Sequence, residues 1–159
     1  MVESRYVLYG LIAGAVSGII AGITSFLTMP TVDEVLEYVR SYTGIHGITE
    51  DVLRGYLTIA LILSPFIAFI FSLVLGAIFG AVYEYFDKKI PGPTILSTLL
   101  TGLVYAAILI LPNIVLGASR QKILVNTVCV ISYTVVLIAL TIHKSPRISS
   151  EERYNEIEG

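Results

Sequence analysis

The chain has 159 residues, a net charge of −2 and no basic run, so it has no electrostatic footprint for nucleic acid. Hydrophobic residues make up 55% and charged residues 14%, with a mean hydropathy of +0.84. A soluble domain carries roughly a quarter charged residues, so the composition favours a membrane protein.

Residues 6–32, 55–83, 90–119 and 123–142 contain no Asp, Glu, Lys, Arg or His. Each run reaches the roughly 20 residues that cross about 30 Å of hydrocarbon. The reading is an all-α, polytopic membrane protein with four transmembrane helices, at about 6–29, 55–86, 94–116 and 123–142. These form one domain over 1–143, followed by a charged tail at 144–159 that is expected to be disordered and cytoplasmic.

The first span carries Gly10, Gly14, Gly18 and Gly22 at four-residue spacing, beside Ala13, Ser17, Ala21 and Ser25. Residues four apart lie almost above one another on a helix, so the two rows make one broad, nearly bare face. Such a glycine zipper lets a second backbone approach closely in lipid, where packing rather than hydrophobicity drives association. The run is too long for a signal-peptide core, so a retained first helix is expected.

After Pro30, Thr31 and Glu34 have the spacing of a capping box. Val32, Val35, Leu36 and Val39 then form an apolar stripe, with Asp33, Glu34, Glu37 and Arg40 at the other positions. This predicts a short amphipathic helix between the first two spans, on the membrane surface or over the bundle mouth. Gly44 and Gly47 end it, and Thr49 is placed to cap the next helix.

The second span continues from there to about Phe86. Its uncharged part, roughly 43 Å of helix, exceeds the hydrocarbon, so tilt, a kink or protrusion is expected, with Pro65 as the natural kink. Ala68, Ser72, Gly76 and Gly80 repeat the four-residue spacing. Neighbouring spans run antiparallel, which puts Gly76 and Gly80 at the depth of Gly10 and Gly14. The first reading of this helix-packing set is fold-level packing. Self-association or a sliding transporter interface is the alternative.

Glu84 lies one turn beyond Gly80 and is read as an interfacial anchor, with a proton or cation site as the alternative. The Pro91-Gly92-Pro93 turn leads to the third span, which holds Pro112 and Asn113. Asn126 lies about one turn into the fourth span. Pro65, Asn113 and Asn126 fall towards one end and, with Glu84, form the candidate transport site: a broken helix beside amides can hold an uncharged ligand or a cation. Pro112 would free the carbonyl of Ile108 for this purpose.

The single cysteine, Cys129, excludes an intramolecular disulfide and reads as a small packing residue. His46 and His143 have no partners at metal-ligand spacing, so no metal site, cofactor or catalytic group is expected.

Basic residues set the orientation. Arg5, Lys88, Lys89, Lys144, Arg147 and Arg153 share one side, against Arg40, Arg54, Arg120 and Lys122 on the other. Both termini are therefore expected in the cytoplasm, in the cell membrane, with Tyr6, Tyr9, Tyr83, Tyr85 and Phe86 as an aromatic belt at that surface.

The glycine-rich first span, the acidic connector and the Gly76–Gly80 pair before a basic turn loosely resemble small cobalt-uptake membrane subunits. The match covers about half the chain, and its motifs are generic to packed membrane helices. No metal-ligand set accompanies them, and no family is assigned on this basis. The expected function is non-catalytic: an assembly or accessory subunit of a homo-oligomer or of a complex with other membrane subunits, in contact with the lipid bilayer. The alternative is a component of a small solute or metal-ion transporter or channel.

Overall fold

The computed structural model describes residues 3–43 and 49–144; His46 and the tail from 145 onward lie outside them. Among the described residues there are five helices and no strand: α1 Ser4–Leu27, α2 Val32–Thr43, α3 Glu50–Lys89, α4 Thr94–Val115 and α5 Arg120–Lys144. Four of them, α1, α3, α4 and α5, are long and apolar enough to cross a membrane. In its most apolar stretch α3 has a mean hydropathy of 2.5, yet only 11% of that window is buried within the chain. Its outward side chains suit lipid and would be costly in water.

The helices extend past the uncharged runs that mark them in the sequence. Arg120, Gln121 and Lys122 already belong to α5, and Glu50 to Arg54 already belong to α3. Absence of charge marks the part that tolerates hydrocarbon, whereas backbone hydrogen bonding continues into the polar flanks.

α1 packs most extensively on α3 and also on α5; α5 packs on α4, and α4 on α3, which closes the ring. The α1–α3 seam has an antiparallel register. A Cβ built on Gly10 would run into the carbonyl oxygen of Gly76 and come within 2.7 Å of the Gly80 Cα. One on Gly14 would lie 2.6 Å from the Ser72 carbonyl oxygen, and one on Gly76 would lie 2.7 Å from the Gly14 Cα. These are backbone-to-backbone contacts that only glycine permits at this separation. The seam then loosens. At Gly18 the neighbours are the side chains of Ser72 and Phe69, and at Gly22 the Pro65 carbonyl oxygen is 3.6 Å away, an ordinary contact.

Aromatic packing fills the middle of the ring. Tyr105 is fully buried, with its ring centroid 4.7 Å from Phe79 on one side and 4.7 Å from Tyr133 on the other. The polar tips are placed rather than stranded. Tyr133 Oη donates to the Gly76 carbonyl at 3.5 Å, and Tyr105 Oη lies 3.7 Å from Cys129 Sγ, which is also 3.8 Å from Ser72 Oγ. On the α4–α5 side, Gly102 meets the Thr134 side chain closely, a contact no spaced row announces.

α2 packs on α3. Its capping box is formed: the Thr31 N–H donates to Glu34 Oε2 at 2.8 Å, and the Glu34 N–H donates to Thr31 Oγ1 at 3.3 Å. Leu36 is buried, and ion pairs from Arg54 to Asp33 at 2.6 Å and from Arg40 to Glu50 tie the polar edges together. Thr49 precedes α3 as its cap residue, but its side chain makes no capping hydrogen bond.

The expected aromatic belt is corrected in part. Tyr85 is exposed, whereas Tyr6 and Tyr83 are buried against one another, with ring centroids 5.4 Å apart. An aromatic residue near a helix end faces lipid or protein according to helix rotation, and here the close α1–α3 seam turns both inward.

Candidate functional site

Two regions, one at each end of the bundle, gather charged or amide side chains between helices. The first is at the end with the N-terminus and the Pro91-Gly92-Pro93 turn. Glu84, read from the sequence as an interfacial anchor, is only 6% exposed there. Its Oε2 accepts the Glu3 N–H at 2.9 Å and its Oε1 accepts Lys88 Nζ at 2.7 Å. Lys88 also pairs with Glu3 at 2.9 Å, and Tyr6 Oη donates to Asp87 Oδ2 at 2.8 Å. This network binds the start of α1 to the end of α3, and Glu84 stands apart from Asn113 and Asn126 at the opposite end.

The Lys88 ammonium, with Arg5 beside it, holds the exposed Glu3 carboxyl below its ordinary value of 4.5. A depressed carboxylate contributes fully above the ordinary value, and the contribution fades as pH falls through the folded-state value. Because both partners are open to solvent, this contribution is small and screened by salt. Glu84 carries more. Glu84→Leu removes the acceptor for a backbone N–H and an ammonium, and is expected to lower stability by ~2 kcal/mol. Glu84→Gln, which retains an acceptor, should lose less. Thermal unfolding in detergent measures both, and equal losses would contradict the assignment.

The second region is at the other end, where α1 and α4 stop and α5 starts. α4 ends in a Schellman turn: the Ala118 N–H donates to the Asn113 carbonyl at 2.8 Å, the Gly117 N–H to the Ile114 carbonyl at 3.2 Å, and Gly117 has φ +66°. Ser119 follows, with Oγ accepting the Lys122 N–H at 3.4 Å, and α5 begins. The reversal brings Asn113 and Asn126 together. Their amide groups both donate to the Leu109 carbonyl, at 2.6 Å and 3.3 Å. The sequence points to the freed carbonyl of Ile108 instead. In the fold the two amides converge one residue further along.

Pro65 does not join them. Its carbonyl and ring face Gly22, and α3 runs through it without interruption. Proline cannot donate to the Leu61 carbonyl, and Ser64 Oγ takes that acceptor at 2.9 Å. Leu61 and Ser64, rather than Pro65, line a cleft of about 410 Å³ with Asn113 and Asn126. Ser25 of α1, Thr28 just after it, Ser119 just before α5, and Gln121 and Lys122 of α5 complete its polar lining. Ser64 and Lys122 escape sequence reasoning as lining residues because a hydroxyl in one span and a cation in a connection carry no spacing signal.

Pro65 instead lines an apolar groove of about 630 Å³ between α1 and the first half of α3, with Gly18, Ile19, Gly22, Phe66 and Phe69. It opens where the glycine seam loosens. Among the described residues no group of three or more His, Cys, Asp or Glu is placed to hold a metal ion. Comparison with protein-family models, with curated proteins and with solved structures finds no match in any of the three.

Proposed function

We propose that this chain is a four-span protein of the cell membrane with both termini in the cytoplasm. It serves, without catalysis, as an assembly or accessory subunit of a homo-oligomer or a larger membrane complex. The observation that supports this reading is the reach of α3. Gly22 faces Pro65, so α1, ending at Leu27, finishes near residue 60 of α3, while α3 begins at Glu50. About ten residues of α3, roughly 15 Å, therefore stand beyond α1.

α1 has 24 residues, enough by itself to cover the hydrocarbon thickness, so on this reading the extension stands outside the acyl chains. Val52, Tyr56 and Ile59 on it are 49%, 69% and 58% exposed. Lipid tails do not cover apolar side chains at that height, whereas a protein neighbour does. Purification in mild detergent and native mass measurement test this. A species heavier than one chain is expected, either a multiple of it or a complex with another membrane subunit. A stable, partner-free monomer would count against assembly.

A second reading has its own observation, the polar cleft with Asn113 and Asn126. It favours a component of a small solute transporter or channel. The fully buried Tyr105, Tyr133, Thr98 and Thr101 fill the centre of a single copy, so on this reading transport requires movement or a second chain. Solute flux in liposomes, abolished by Asn113→Leu and Asn126→Leu, would move the assignment to transport.

A further inference from the structure

The cleft where α1 and α4 end and α5 begins has a chemical bias that neither reading uses. Its wall is largely apolar, with Met29, Pro30, Leu61 and Val125, and against that wall it gathers three amide side chains and a cation. Its only charged lining residue is Lys122, which makes no ion pair among the described residues, and no carboxylate lines the cleft.

The other lining groups offer directed donors. The Asn113 and Asn126 amides each have one N–H committed to Leu109 and a second N–H in reserve. Gln121 has two, and the Ser119 hydroxyl, whose oxygen accepts the Lys122 N–H, retains its own proton for donation. A cation with surrounding neutral donors suits a group with negative charge spread over several oxygens.

We propose that this cleft binds an oxyanion group, with Lys122 supplying the charge and Asn126, Gln121 and Ser119 supplying directed hydrogen bonds. The oxyanion belongs to either a phospholipid headgroup or a small soluble anion, since on the four-span reading the cleft lies where bilayer and water meet. The proposal shares its location with the transport reading but does not depend on flux. Binding is read on protein in detergent, so a failed flux assay leaves it standing, and absent binding overturns it alone.

The test uses the full chain, stripped of co-purified lipid. Inorganic phosphate is compared with chloride at equal ionic strength by thermal unfolding. Mixed micelles containing phosphatidylglycerol are compared with phosphatidylcholine micelles by native mass measurement of retained lipid. A phosphate-dependent rise in the unfolding midpoint identifies a soluble oxyanion. Retention of phosphatidylglycerol without a phosphate response identifies a lipid headgroup.

In either case Lys122→Gln should weaken binding about tenfold. Lys122 is exposed, so the substitution should leave the fold intact. Arg120→Gln removes a nearby cation that does not line the cleft and should bind as the unaltered chain does. Binding of neither probe, or an equal loss in both variants, would overturn the proposal.

Discussion

Gly76→Ala is expected to lower stability by ~3 kcal/mol or more, at the top of the range for overpacking a close-packed interior. The added methyl would meet the Gly10 carbonyl and lie 2.7 Å from the Gly14 Cα. Both obstacles are backbone, so no rotamer change makes room, and α1 must move away from α3. The movement would not stay local, because Gly76 also offers its carbonyl to Tyr133, and Phe79, one turn on, packs on Tyr105. Gly22→Ala is the matched control: the nearest atom to its Cβ is 3.6 Å away, so it should be nearly neutral. Unfolding of the two variants in the same detergent gives the comparison. Similar midpoints would mean that the close approach contributes little.

Tyr105→Ala should cost about as much, ~3 kcal/mol, through a cavity rather than a clash. The ring is fully buried between Phe79 and Tyr133, with no solvent or lipid at hand to fill its place. The neighbouring rings would forfeit their dispersion attraction to it, and that attraction matters in lipid as in water. Tyr105→Phe retains the ring and removes only the hydroxyl that lies 3.7 Å from Cys129, so its loss should be under about 1 kcal/mol. If the Phe variant were as unstable as the Ala variant, the hydroxyl would be the important part and the packing explanation would fail.

The number of long apolar helices was legible because charge is excluded from hydrocarbon in an all-or-none way. Their ends were less so: the start of α3 after Thr49 was legible, whereas Arg120–Lys122, which read as a connection, already belong to α5. The depth match of Gly10 and Gly14 with Gly76 and Gly80 follows from antiparallel neighbours, and the structure has the same register. Four-residue spacing alone did not show that the seam would open at Gly22, where Pro65 presents a ring instead of a small residue.

The candidate site was legible in part. Asn113 and Asn126 meet, because a tight turn between antiparallel helices brings flanking residues together. Pro65 lies on the other side of the seam, and Glu84 lies at the far end beside Lys88. The inward turn of Tyr6 and Tyr83 depends on helix rotation, which no local spacing records.

Both functional readings rest on one proposed topology: four membrane crossings, with α2 outside and the 90–93 turn in the cytoplasm. Cys129 is the only cysteine, so Cys129→Ser provides a blank chain for single cysteines at Ser41, Lys89 and Ser149. An impermeant thiol reagent applied to intact cells should label position 41 alone, with 89 and 149 labelled only after lysis. Labelling at 89 but not at 41 would invert the orientation, and labelling at both 41 and 89 would contradict the four-span topology.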